Sequence, residues 1–122
     1  MRLIVALGLM LFLVSPAWAA SVVLTWTDNA TNEQNFEIER KAEVCPSATS
    51  GGVVPFTKIA TVGLNIVTFT DTAVTTGTTY CYRVRATNTV GPSAYSNTAE
   101  VMVPVPPSVP AAPSGLTAQP VN

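Results

Sequence analysis

An all-β antiparallel sandwich is the fold class this sequence predicts, and three observations predict it. β-Branched Thr and Val dominate the chain beyond residue 20, apolar and polar residues alternate with period two in several short runs, and Gly, Pro, Asn or Asp punctuates the gaps between them. Nothing in that region reads as a helix. The chain has 122 residues, 11% of them charged, with a formal net charge of -1 and no histidine. That length provides for one small domain. The lack of histidine excludes Ser-His-Asp and Cys-His nucleophiles, His-ligated zinc and imidazole acid-base chemistry. The six cationic residues are too few and too scattered for the electrostatic footprint of a nucleic-acid binder.

The 48% apolar content is inflated by the N-terminus. Arg2 precedes an apolar run from Leu3 to Val14, Pro16 breaks it, and Ala17-Trp18-Ala19 places small residues where a signal peptidase reads them. Residues 1–19 therefore read as a secretory signal peptide, cleaved after Ala19 with Ala20 as the neighbouring choice. The run is too short for a membrane span, so no membrane attachment is expected after cleavage. Cleavage removes Arg2 and leaves Arg40, Lys41, Lys58, Arg83 and Arg85 facing all seven anions. Export also places Cys45 and Cys81 in an oxidising compartment, where a lone pair of cysteines in a small domain reads as a disulfide. A metal or redox site is the rival, and no His or third Cys stands near either residue to support it.

The strands follow in order. Val22, Leu24 and Trp26 alternate with Val23, Thr25 and Thr27 before a polar loop from Asp28 to Glu33. Phe36 and Ile38 point inward on a second strand, with Glu37, Glu39 and Lys41 outward. Residues 42–55 hold Cys45, Pro46, Gly51, Gly52 and Pro55 and read as a long connection; an apolar strand resumes from Phe56 to Val62. Val67 and Phe69 mark a fourth strand, ending at Asp71-Thr72. From Tyr80 to Asn88 the inward row is Tyr80, Tyr82, Val84 and Ala86, and the row of Cys81, Arg83, Arg85 and Thr87 faces water. Gly91-Pro92 turns the chain into a last strand, Ser93 to Val101. The predicted core is Leu24, Trp26, Phe36, Ile38, Phe69, Tyr80, Tyr82 and Val84. Residues 103–113 then form a Pro-rich, stiff linker, and residues 114–122 read as one more strand.

These motifs together resemble a fibronectin type III domain of the bacterial secreted or cell-surface type. Val22-x-Leu24-x-Trp26-Thr27-Asp28-Asn29 is similar to that family's strand B. Asn32-Glu33-x-x-Phe36-x-Ile38-Glu39-Arg40 is similar to the B-C loop and strand C, Ile59 to Val62 to C', and Thr68 to Thr72 to strand E. Gly77-Thr78-Thr79-Tyr80-x-Tyr82-Arg83-Val84-Arg85-Ala86-x-Asn88 resembles the E-F corner and strand F, with Tyr80 at the tyrosine-corner position, and Gly91-x-Ser93-x-Tyr95-Ser96-Asn97 resembles strand G. The resemblance implies an immunoglobulin-like antiparallel β-sandwich over residues 20–102, a disulfide pinning the C-C' connection to the outer face of strand F, and cross-strand pairing of Glu37 and Glu39 with Arg83 and Arg85.

The chain departs from that pattern in one respect. The leader abuts strand B, and the segment that resembles strand A, Pro113-Ser114-Gly115-Leu116-Thr117-Ala118, lies at the other end, so the domain reads as incomplete or permuted. Three explanations compete: the chain is a fragment whose last segment opens another module; the segment folds back on its own domain across the linker, which spans roughly 34 Å as polyproline II; or it pairs with the open sheet edge of a neighbouring molecule.

Other candidate sites carry little. Asp28, Glu33 and Asp71 lack the spacing of calcium ligands or paired catalytic carboxylates. Asn29-Ala30-Thr31 is a glycosylation sequon with no role in a bacterial setting. Trp26 falls on the inward face, and Tyr95 alone makes no carbohydrate platform. The expectation is a non-enzymatic, cofactor-free module, secreted, periplasmic or at the cell surface, that acts as a spacer or protein-interaction unit within a larger multidomain protein. Its partners would be other protein domains or surface proteins. The alternative is a subunit that self-assembles by strand addition, and a remoter one is an accessory carbohydrate-associated module of a secreted glycoside hydrolase.

Overall fold

The computed structural model describes residues 19–47 and 53–122. The leader reading and the Gly51-Gly52 part of the long connection lie outside those residues. Six strands follow one another, with no helix among the described residues: β1 (Val22–Thr25), β2 (Asn35–Lys41), β3 (Thr57–Gly63), β4 (Thr68–Asp71), β5 (Thr79–Thr87) and β6 (Ala99–Met102). They form two antiparallel sheets, β1-β4 and β3-β2-β5-β6, stacked as a sandwich.

Local chemistry sets the strand ends. After β1, the Asp28 carboxylate accepts the Ala30 N–H at 3.0 Å, so the side chain closes the turn that the backbone leaves open. Between β3 and β4, Asn65 adopts φ 62° and Ile66 N–H reaches Gly63 C=O at 3.3 Å; Asn tolerates that left-handed conformation better than most residues. Gly77 (φ 77°) turns the chain into β5.

The inward row of β2 and β5 forms the centre of the core. Ile38 is fully buried, and Phe36, Tyr80, Tyr82 and Val84 surround it together with Val22 and Val103. Leu24, Trp26 and Phe69 pack against this cluster from the side of the smaller sheet but are only partly buried, since both strands of that sheet are edges. The Trp26 and Phe36 rings meet at 5.7 Å between centroids. Burying a side chain such as Ile38 contributes about 1.5–3 kcal/mol.

Two expectations are corrected. The last strand does not run from Ser93 to Val101: only Ala99–Met102 is regular. Before it the chain is bridged to β5 irregularly, Pro92 opposite Thr87, and the hydroxyls of Ser93 and Ser96 accept the N–H groups of Ala86 and Val84 (2.9 and 3.0 Å) in place of main-chain carbonyls. Nor is the outer face of β2 and β5 simply wet. Cys81 is fully buried there, and Glu39 and Lys41 nearly so: Cys45 is bonded to Cys81, the Phe56 ring lies against Lys41, and Tyr95 bonds to Glu39.

Val103 is the last anchored residue. Its N–H bonds to Thr78 C=O at 2.9 Å and its C=O accepts Gly77 N–H at 2.7 Å. Residues 114–122, read above as a strand, form none: they have no strand partner, and Leu116 and Val121 are 98% and 97% exposed. An unpaired strand has no ladder to stabilise it.

Candidate functional site

The outward rows of β2 and β5 place opposite charges directly across from one another, Glu39 against Arg83 and Glu37 against Arg85. Arg83 donates through Nε and Nη2 to Glu39 Oε1 at 2.9 and 2.7 Å, and Arg85 Nε donates to Glu37 Oε2 at 2.8 Å. Lys58 Nζ on β3 stands 3.6 Å from Glu37 Oε1, and the Tyr95 hydroxyl donates to Glu39 Oε2 at 2.7 Å. The cross-strand pairs expected from the sequence are therefore in place.

The aromatic rings that interleave these cations were not legible. The Arg83 guanidinium lies 3.6 Å from the Tyr95 ring centroid and 4.0 Å from that of Phe56. Arg85 extends the row at 4.9 Å from Tyr95, and Lys41 Nζ at 5.2 Å from Phe56. Cations and rings thus alternate in the order Lys41, Phe56, Arg83, Tyr95, Arg85. Each such contact adds about 0.5–1 kcal/mol where solvent reaches it.

The long connection is tied to the same face. Cys45 and Cys81 are joined, with an S–S distance of 2.04 Å and Cα atoms 5.0 Å apart. Cys45 N–H donates to Glu100 Oε1 at 2.7 Å. The Glu43 carboxylate accepts Lys41 Nζ, Val53 N–H and Val54 N–H, each at 3.1 Å. These two backbone donors and Lys41 hold its carboxyl below the ordinary value. The Arg85 hydrogen bond does the same for Glu37. For Glu39 burial pushes upward, but the Tyr95 and Arg83 hydrogen bonds outweigh it.

A second polar assembly, also missed, lies between the sheets. Arg40 continues the inward row of Phe36 and Ile38, and its Nη1 donates to Asp71 Oδ2 at 2.7 Å and to Ala73 C=O at 3.0 Å. Tyr82 OH donates to the same Asp71 oxygen at 2.8 Å, and Ala73 N–H caps Oδ1 at 3.0 Å. Burial alone would raise the Asp71 carboxyl; the donations from Arg40, Tyr82 and Ala73 instead lower it. Burial, then Asp71, pushes the Tyr82 phenol far up, so it stays a donor. Tyr80 accepts the Thr75 N–H on its hydroxyl at 2.9 Å, the tyrosine-corner bond expected at that position. Parity along β2 was the signal available for Arg40: the third inward position is a cation, and a buried cation requires a carboxylate.

The remaining candidates stay apart. Asp28 closes its own turn and Asp71 is paired with Arg40. Among the described residues no group of three or more His, Cys, Asp or Glu could hold a metal ion. Tyr95 spends its ring on Arg83 and Arg85 and its hydroxyl on Glu39.

A small sheet and a larger one, bound by an internal ion pair and locked outside by a stacked charge ladder over a disulfide, define the chain as an immunoglobulin-like β-sandwich module. Comparison with solved structures narrows the class. The sixth fibronectin type III domain of human fibronectin type III domain containing protein 3 superposes with a TM-score of 0.54 at 18% identity, over 77% of this chain and 80% of that one. The twitchin kinase region from C. elegans (Fn31-NL-kin-CRD-Ig26) gives 0.52 at 23% identity over 70% of this chain, which spans only 14% of that multi-segment protein. A structure described as a myokine gives 0.50 at 18% identity over 70% of this chain and 84% of that one. At such identities the likeness is one of fold, and the fold is that of fibronectin type III domains. No protein-family model and no curated protein matches the sequence.

Proposed function

We propose that the chain is a non-catalytic, extracytoplasmic spacer or protein-interaction module of a larger multidomain protein. The observation that carries this reading is the use made of the charged side chains on the large sheet. Lys41, Lys58, Arg83 and Arg85 are all spent on Glu37, Glu39 and Glu43 within the fold, an arrangement that stiffens a surface and leaves no charge poised for reaction. The Pro-rich segment after Val103, exposed along nearly its whole length, supports a stiff connector. Export is supported by the leader-like start and by the disulfide, which would be reduced in a cytosol. No helix among the described residues is long and apolar enough to cross a membrane.

The test is a distance. Fluorescent reporter domains fused at either end of the secreted chain should hold one separation, insensitive to reporter identity and to moderate salt. A broad distribution that collapses with reporter charge would overturn the spacer reading.

A further inference from the structure

The smaller sheet has an open edge. β1 pairs with β4 in a register that sets Leu24 opposite Phe69, and Trp26 N–H continues that ladder to Val67 C=O at 3.0 Å. Backbone groups alternate in direction along a strand, so the N–H and C=O groups of Val23 and Thr25 point away from β4. Among the described residues no strand meets them. Beside this edge runs a groove of about 550 Å³ between β1 and the chain leading to β6, floored by Leu24, Trp26, Tyr82 and Val84 and walled by Ser96 and Asn97. A second cleft of about 340 Å³ shares Trp26, Val84 and Ser96 with it. The indole Nε1 of Trp26 is buried and has no hydrogen-bond partner. Other strands also end their sheets, but this edge adjoins a groove that reaches core side chains.

The same chain carries a segment complementary to it. Residues 114–121 are unpaired and exposed; Gly115 turns the chain at φ 69°, and beyond it a strand would set Leu116 and Ala118 on one face with Thr117 and Gln119 on the other. The geometry points to strand addition between copies: Leu116–Gln119 of one molecule, between the turn at Gly115 and Pro120, pairs with the β1 edge of a second, Leu116 and Ala118 entering the groove and the main chain meeting Val23 and Thr25. The linker favours a second copy over the chain's own groove. It leaves from Val103, beside the start of β5, and its ten residues to Pro113 span about 31 Å as polyproline II. To run antiparallel to its own β1 the segment would have to start at the far end of the sandwich, so a stiff linker would have to double back along the whole domain. Donor and acceptor are different surfaces, so repetition builds head-to-tail chains or rings. This inference rests on the reading of the chain as an interaction module and names its partner.

Sedimentation of the full secreted chain over a concentration series tests it. The expected result is growth beyond the monomer with concentration. Leu116→Asp, in an exposed segment that cannot unfold the domain, should stay monomeric under the same conditions. Thr25→Pro should too, since it removes an N–H that faces away from β4. Mixed, the two variants should form a one-to-one dimer that neither forms alone, the proline variant donating its segment to the open edge of the other. If Thr25→Pro does not fold, Leu116→Asp against the unaltered chain still decides. A monomer at every concentration, or assembly that Leu116→Asp leaves intact, overturns the proposal. A monomer whose last residues resist protease would place the segment in its own groove and reject the second copy. The spacer reading is judged separately, by whether the reporters hold one separation, and it can fail or stand under any of these results.

Discussion

The two sheets are made from the same kinds of residue and finished differently. The four-stranded sheet is covered on both faces along its two central strands: the core covers one, and the other carries the disulfide, the ion pairs and the rings of Phe56 and Tyr95. The two-stranded sheet buries only one face, and among the described residues no strand meets the backbone groups of Val23 and Thr25 that point away from β4. The contrast teaches where stability and adaptability lie in a small sandwich: strand alternation builds both sheets, but side chains arriving from loops decide which becomes rigid.

Removing the disulfide breaks the contrast most strongly. The bridge spans 36 positions, and in the chain-entropy account such a closure stabilises by about 4 kcal/mol. Cys45→Ala with Cys81→Ala should lower the unfolding free energy by about that amount and steepen the denaturant slope, since the unlinked unfolded chain exposes more surface, as chemical denaturation will show. Next is the tie between the sheets. Asp71→Ala leaves the Arg40 guanidinium and the Tyr82 hydroxyl without their acceptor and should cost about 3 kcal/mol, the lower end for a broken buried pair because Arg40 keeps some contact with water. Conversion of Arg40 and Asp71 together to Met and Leu should recover much of the loss in the same assay.

The ladder is expected to matter less. Arg83→Ala removes two ring contacts and one ion pair and should cost about 1–2 kcal/mol; Arg83→Lys should recover only part of it, since an ammonium cannot stack between two rings. The smallest effect is that of pH. Glu37, Glu39, Glu43 and Asp71 all have carboxyls lowered in the folded state. Their contribution is fully present above the unfolded carboxylate range, about pH 4, and is lost as pH falls through the lower folded values. Thermal unfolding should therefore be nearly flat from neutrality to about pH 5 and decline below, and Asp71→Asn should flatten part of that decline.

Much of this was legible in the residues. The alternation of Phe36 and Ile38, and of Tyr80, Tyr82 and Val84, placed β2, β5 and the core between them, and the matching parity of Glu37, Glu39, Arg83 and Arg85 placed the cross-strand pairs. Three things were not legible, for physical reasons. Phe56 and Tyr95 stand in runs read as strands, Phe56 to Val62 and Ser93 to Val101, but both fall outside the regular strands, so strand parity does not say which way either side chain turns. The run from Ser93 looks like a strand because its spacing suits one, yet its serine hydroxyls take over main-chain hydrogen bonds and interrupt the ladder. Leu116 and its neighbours have the pattern of a strand, but pattern supplies no partner, and without one the segment stays irregular and exposed.

The central claim, a β1 edge left open beside a groove that reaches the core, is tested most directly by amide hydrogen exchange along β1. Leu24 and Trp26 should be protected at every concentration, and Val23 and Thr25 should exchange fast in dilute protein and slow as concentration rises. Equal exchange of all four amides, unchanged by concentration, would contradict it.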